Sequence, residues 1–430
     1  MKQYAAMSKE ELLAERENLS AMYKGFEEAG LSLNMARGKP SPTQLALSMD
    51  MLNSLGTQDD MKSESGDDVR NYGVMEGIKE AKKLMADMME CDPANVLVCG
   101  NASLNIMYDM IARNYAFGVM GNTPWCKLDK IKFLCPVPGY DRHFLVTQDF
   151  GFEMINIPMT PDGPDMDMVE QYVNNDPAVK GIWCTPKYSN PQGVVYSDET
   201  VKRFANLKPA AKDFRIFWDN AYCVHHLYED PAKQGKILDI LKECELAGNP
   251  DMVYEFASTS KVTFAGAGIS AVATSEANLA EIKKHLTIQT IGFDKVNQLR
   301  HVRFLHDRAG IDEHMKKHAA LLRPKFEMVE KLLNDEIVSA GLGTFLHVEG
   351  GYFICFHSLK GCAKDIVARC KAAGVTLTGA GAPFPYGNDP DDSVIRIAPS
   401  YPEIDELKKA MDVFVVCVKL ASIDKLLETK

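Results

Sequence analysis

The sequence predicts an α/β fold: a large unit on a mainly parallel seven-stranded sheet flanked by helices, plus a smaller α+β unit. Three observations carry this. At 430 residues the chain exceeds what one ordinary core accommodates. From about residue 74, short apolar runs alternate with segments of helical period, the pattern of strands buried on both faces and joined by crossover helices. Beyond about residue 310 the rhythm shortens into a second, smaller set of strands and helices.

The elements follow in order. Residues 1–30 carry helical periodicity (LLAERENLSAMYKGFEEAG) and end at Gly30, after which LSLNMARGKPSP breaks into an extended arm. Next come helix EGIKEAKKLMADMM, strand NVLVCG, helix LNIMYDMIARNY, strand KIKFLCPVP, helix YDRHFLVTQDF, strand FEMINIPM and helix MDMVEQYVNN. Strand GIWCTP, a helix from SDETVKRFA, strand FRIFWDN, strand MVYEFAS and the strand-like ISAVATS complete the large sheet. A long helical stretch runs from DKVNQLRHVRFLHD through KFEMVEKLLNDE. It leads to strands FLHVEGGYFICFH and SVIRIAPSY and to helices KDIVARCKAAG and EIDELKKAMDVFVVCVKLA. The expected division is 1–50 for the arm with part of the small unit, 51–310 for the large unit, and 311–430 for the small one.

Composition excludes several classes. A hydrophobic fraction of 46% and a charged fraction of 25% are those of a soluble globular chain, and no apolar run has the length of a membrane span. The N-terminus is polar and acidic where an export signal would be apolar, so the expectation is a cytoplasmic protein without a membrane partner. Eleven cysteines without a Cys-x-x-Cys pair or regular spacing suggest neither a disulfide framework nor a metal site. The net charge of −11 argues against a nucleic-acid partner.

In open parallel sheets ligands bind beyond the carboxyl ends of the strands, and unusual residues fall there repeatedly. NVLVCG ends in GNASLN, where the N–H groups of Ala102, Ser103 and Leu104 can cradle a phosphate at a helix start. IKFLCPVP ends at Gly139-Tyr140, with His143 three residues on. GIWCTP ends in KYSNPQG with Asn190, RIFWD in DNAY with Asp219 and Tyr222, and VYEFAS in STSK with Ser258, Ser260 and Lys261. Each alone has a structural explanation: Asp219 or Ser103 as a helix cap, Asn190 as a turn residue, Tyr140 and His143 as core residues with satisfied polar tips. Together they gather an amine, an acid, two phenols, an amide and an imidazole on one rim. Lys261 is also set among small residues (FASTSKVTFAG), the room a bulky non-protein group needs.

TPKYSNPQG, WDNAY and STSK, in this order and at these separations, resemble the signature of fold-type I pyridoxal-phosphate enzymes, specifically class I aminotransferases. ARGKPSP, STSKVTFAGAG and DKVNQLRHVRF are similar to a divergent bacterial branch of aspartate aminotransferases. The resemblance implies pyridoxal 5'-phosphate held by Lys261 as a Schiff base, with the freed amine carrying the proton of a ping-pong transamination. It implies Asp219 at the pyridine nitrogen backed by His143, Tyr140 stacked on the ring, and Asn190 and Tyr222 at the phenolic oxygen. It places Arg396 (VIRIAPS) on the substrate α-carboxylate, with Gly38, Asn190 and Lys295 also at substrate. Tyr72 would reach the phosphate of a neighbouring subunit, which makes a homodimer with shared sites the expected assembly and amino acids with 2-oxoacids the expected substrates.

Two features depart from that pattern. Most of the family carries an arginine for the phosphate shortly after the lysine, and residues 262–273 contain none; Lys295, Arg300, Arg37 and Lys39 are the candidate cations. No residue identifies itself as the partner of the distal carboxylate of aspartate, with Lys295 or Arg300 again the candidates. The expected activity is L-aspartate:2-oxoglutarate transamination. A β-eliminating lyase or an aminotransferase of another amino acid on the same fold, or a non-enzymatic sensor domain, stands as the alternative. GAGISA at 266–271 fits a dinucleotide fingerprint but precedes a strand where a helix is required.

Overall fold

Strands without a polar face need helices on both sides, and the chain supplies them. The computed structural model describes residues 3–56 and 60–430. In chain order the elements are α1 (Lys9–Glu28), β1 (Leu33–Asn34), α2 (Pro42–Ala46), α3 (Lys79–Met89), β2 (Val96–Cys99), α4 (Ser103–Phe117), β3 (Lys132–Val137), α5 (Asp141–Asp149), β4 (Glu153–Thr160), β5 (Gly163–Pro164), α6 (Met166–Asn175), β6 (Val179–Cys184) and α7 (Asp198–Ala205). They continue with β7 (Arg215–Asp219), α8 (Ile240–Leu246), β8 (Val253–Ser258), β9 (Ser270–Ala273), α9 (Glu276–Gln289), α10 (Lys295–Leu305), α11 (Arg308–Leu333), β10 (Gly343–Phe345), β11 (Ile354–Ser358), α12 (Ala363–Ala372), β12 (Val375–Thr376), β13 (Val394–Ile397) and α13 (Ile404–Leu427).

The large sheet has the order β2-β9-β8-β7-β6-β3-β4-β5. Strands β4, β3, β6, β7 and β8 run parallel to one another, whereas β9 runs antiparallel to both β2 and β8. The carboxyl ends of β2, β3, β6, β7 and β8 therefore share one rim. The central strands β6 and β7 are buried at every residue, which is why no alternation marks them in the sequence. Strand β4 alternates from Ile155 to Thr160, as befits a strand near the edge. Seven strands are as expected; the eighth, β5, is a two-residue return onto β4, too short to show a period.

The smaller sheet is antiparallel, in the order β10-β11-β13. The expected single strand FLHVEGGYFICFH is instead β11 with a preceding loop, and only Phe345 at its start belongs to a strand, β10. Gly350 accounts for the break: a Cβ there would lie 2.3 Å from the Tyr188 ring, so the backbone passes where no side chain fits. The arm joins this half of the molecule. Strand β1 pairs in parallel with β12, Arg16 Nε donates to Asp424 Oδ1 at 2.6 Å, and Tyr23 Oη donates to the Arg369 carbonyl at 3.0 Å. The long helical stretch is two helices, because His306 adopts a left-handed φ of 63° between α10 and α11. Helix α11 starts under an Asp307 cap and passes from one core to the other: Ile311 and Met315 pack with the large sheet, Leu322, Phe326 and Val329 with the small one.

Candidate active site

Lys261 sits just past the carboxyl end of β8, and burial pushes its amine below the ordinary lysine range, an effect the Asp219 carboxylate partly offsets. It lines a cavity of about 460 Å³ together with Ser103, Leu104, Tyr140, Asn190, Asp219, Tyr222, Gly38 and Arg396. Five of the strand ends read from the sequence thus converge on one space. The Lys261 Nζ lies 5.0 Å from the centroid of the Tyr222 ring. Burial drives the Tyr222 phenol well above its ordinary pKa, with Tyr140 and Asp219 adding to the effect, so it remains a neutral donor. Tyr140 is pushed up to about 12, first by burial and then by Asp219.

Asp219 ends β7 and is 3% exposed. The His143 Nε2 donates to its Oδ2 at 2.9 Å, and the imidazole is stacked on Trp183 at 4.5 Å between centroids with 10° between planes. That stack and the hydrogen bond fix the carboxylate. Its other oxygen, Oδ1, is buried without a hydrogen-bond partner. An orphaned carboxylate oxygen is costly unless a ligand donates to it. A protonated ring nitrogen is such a donor, and a depressed amine in the same cavity is a usable nucleophile, so these residues fit the cofactor that the sequence implies.

The rim at the start of α4, where the sequence predicts a phosphate, presents backbone and hydroxyl groups. Ala102 occupies the N-cap position of α4 and gives that helix no side-chain cap, so the first-turn N–H groups of Ser103 and Leu104 are open to an anion. Ser258 Oγ donates to Ser260 Oγ at 3.1 Å and Ser260 Oγ to the Asn101 carbonyl at 3.3 Å, which ties the lysine loop to that helix start. Where an arginine was missing, Asn297 Nδ2 donates to the carbonyls of Ala267 and Gly268 at 3.1 and 2.9 Å. His301 Nδ1, one turn on, donates to the Asn297 carbonyl at 2.8 Å, leaving Nε2 to accept from Thr263 Oγ1 at 2.9 Å.

Lys295 and Arg300 do not line this cavity. The Arg300 guanidinium donates to Asn297 Oδ1 at 2.5 Å. Lys295, 4% exposed, lines a separate hollow with Tyr72, and Tyr72 is 79% exposed. Those two expected contributors share a hollow apart from Lys261 of their own chain. Arg37 and Lys39 do line the Lys261 cavity.

Arg396, on β13, has Nη1 donating to Asp141 Oδ1 at 2.9 Å and to Asn190 Oδ1 at 3.3 Å, and Nη2 to Thr378 Oγ1 at 3.2 Å. Its guanidinium lies 4.7 Å from the Phe353 ring centroid. Sequence reading missed Asp141, Arg142, Phe353 and Thr378, all of which line the cavity. Asp141 and Arg142 directly follow Tyr140 and were the discoverable pair; nothing local marks Phe353 or Thr378.

The match of the chain to known proteins follows this geometry. Residues 7–430 match the model of the aspartate amino-transferase family. An aspartate aminotransferase of Corynebacterium glutamicum is 42% identical over 433 residues, covering 99% of both chains. The crystal structure of an aspartate transaminase from Corynebacterium glutamicum superposes with a TM-score of 0.94 at 41% identity, over 98% of this chain and 99% of that one. A more distant structure, the α-aminoadipate aminotransferase LysN of Thermus thermophilus complexed with N-(5'-phosphopyridoxyl)-L-leucine, shares the fold at 18% identity, with a TM-score of 0.70 over 93% and 94% of the two chains.

Proposed function

Because the chain belongs to the aspartate aminotransferase family, we propose that it moves the amino group of L-aspartate to 2-oxoglutarate, using pyridoxal 5'-phosphate in a ping-pong cycle. That it is an aminotransferase acting on amino acids and 2-oxoacids follows from membership; the particular substrates, the cofactor attachment and the dimer are our reading. The observation that carries it is the pairing of a buried, depressed Lys261 amine with the orphaned Asp219 Oδ1 in one cavity.

When bound, the cofactor supplies an electron sink for the bond broken at the substrate α-carbon. Lys261 would hold it covalently through Nζ and, once displaced by substrate, accept and return the α-proton, which an amine of lowered pKa does well near neutrality. Asp219 Oδ1 would keep a proton on the ring nitrogen, with His143 holding the carboxylate in place. Tyr140 would cover the ring face, and the Tyr222 hydroxyl and Asn190 amide would donate to its phenolic oxygen. The N–H groups of Ser103 and Leu104 with the hydroxyls of Ser258 and Ser260 would hold the phosphate. Arg396 would take the α-carboxylate as a planar fork beside Gly38.

Aspartate is preferred because the cavity wall carries more positive charge than this exchange of one carboxylate needs. Arg37 and Arg142 line it and make no ion pair among the described residues, so a second carboxylate has counter-charge within the same chain. Tyr72 and Lys295, sharing one exposed hollow, are the pair a second subunit would receive, which supports a homodimer.

A half-reaction screen tests the reading. Purified protein with bound cofactor is mixed with single amino acids, and its visible absorbance is followed. Aspartate and glutamate should bleach it and 2-oxoglutarate restore it, and borohydride reduction should label Lys261 in peptide maps. Release of ammonia and pyruvate from a cysteine thioether, with no 2-oxoacid dependence, would reject transamination in favour of a lyase.

A further inference from the structure

The residue given above to the substrate α-carboxylate already holds a carboxylate of its own chain. Arg396 and Asp141 form an ion pair at 2.9 Å with side-chain exposures of 8% and 25%, and both line the Lys261 cavity. Arg396 Nε is buried without a partner. Nη1 is already donating to Asp141 and Asn190, and Nη2 to Thr378. Asp141 is the first residue of α5, where an acid is favoured by the helix dipole in any side-chain orientation. The helix therefore does not require the contact with Arg396. Its backbone is fixed by the helix, while its side chain can turn away when a competitor arrives.

We propose that Asp141 determines specificity for carboxylate substrates by occupying Arg396 until a substrate α-carboxylate displaces it. This rests on the assignment of Arg396 made above. Binding is then an exchange of one anion for another at a buried guanidinium. A ligand without a carboxylate gains nothing from the exchange and leaves the pair closed. Neither Arg37 nor Arg142, both on the cavity wall, is ion-paired among the described residues, so the displaced Asp141 has cations within the cavity to receive it. Apparent affinity for substrate is reduced by the fraction of enzyme in which Arg396 is free, so removing the internal carboxylate should tighten binding.

The test uses the cofactor-loaded enzyme and its Asp141→Asn, Asp141→Glu and Arg396→Lys variants. Succinate, a dicarboxylate with no amino group to react, is titrated by the change in cofactor absorbance, and KM and kcat are measured for aspartate. In Asp141→Asn the succinate Kd and aspartate KM should both fall about tenfold, the effect falling on KM rather than kcat. Asp141→Glu, which keeps the charge, should stay near the parent enzyme, and Arg396→Lys should raise both constants. Unchanged or weaker succinate binding in Asp141→Asn, with Arg396→Lys still raising both constants, overturns the role of Asp141 alone. If Arg396→Lys changes neither constant, the assignment of Arg396 falls and the proposal with it.

Discussion

Glu255 lies within the large sheet on β8, beside strand β7, which ends in Asp219, and is 3% exposed. Its Oε1 accepts from Asn220 Nδ2 at 2.9 Å, and burial lifts its carboxyl from the ordinary 4.5 to about 8, against the lowering effect of that hydrogen bond. Between these two values the unfolded chain is ionised while the folded chain keeps its proton. The native state then binds more protons than the unfolded state, and stability falls as pH rises through that window. At about 1.4 kcal/mol per pH unit, the gap sets a ceiling of about 5 kcal/mol. Relaxation around a buried charge reduces this, and about 2 kcal/mol between pH 5 and pH 8 is the expected loss. Glu255→Gln removes the titration while keeping the acceptor for Asn220. Denaturant midpoints of the two proteins, measured from pH 5 to pH 8.5 at fixed cofactor and protein concentration, should converge near pH 5 and diverge toward pH 8, with the variant the more stable. Parallel curves would refute a protonated Glu255 in the native state.

Two substitutions in the site have separable signatures. Asp219→Asn keeps a partner for His143 but removes the charge opposite the orphaned oxygen position; kcat should fall by about 10²- to 10³-fold, and a rate within threefold of the parent would remove Asp219 from the reaction. In Gly38→Ala the new Cβ would stand 2.2 Å from Phe353 Cζ, so the ring must move, and the Arg396 guanidinium over it at 4.7 Å must move as well. Aspartate KM should rise about tenfold or more through misplacement of the fork; an unchanged KM would show that Phe353 does not set the position of Arg396.

What could be read from the chain, and what could not, divides by the range of the signal. Lys261, Asp219, Tyr222 and Asn190 announce themselves because each follows a short apolar strand, and the ends of parallel strands are where an open sheet binds its ligand. The family resemblance then adds Arg396, which no local pattern would single out. Asp141 stayed hidden because its meaning lies in a contact across 255 residues of sequence, and no periodicity encodes such a pairing. The strand FLHVEGGYFICFH was overextended for a related reason. Its Gly350 looks like a weak point in a strand, but the position is demanded by Tyr188, a residue of the opposite half. The short strands β1, β5 and β12, each of two residues, hold no period at all.

The lysine itself shows why the site needs both halves. Its loop is tied to the large sheet by Thr259, whose N–H donates to the Ile269 carbonyl at 2.8 Å. The flanking carbonyls are taken by the other half and by the helix that joins them: Tyr352 Oη donates to the Lys261 carbonyl at 3.4 Å and His314 Nε2 to that of Val262 at 2.8 Å. Burial lowers the His314 pKa, with Lys317 adding to the effect and the bond to Val262 opposing it, so this ring remains a neutral donor at physiological pH. Tyr352 in turn receives the Gln44 amide of the arm at 3.0 Å. The Lys261 backbone is thus held jointly by the large sheet, α11, the loop before β11 and the arm. A displacement of Tyr352 or of α11 would act on the Lys261 backbone through the same contacts.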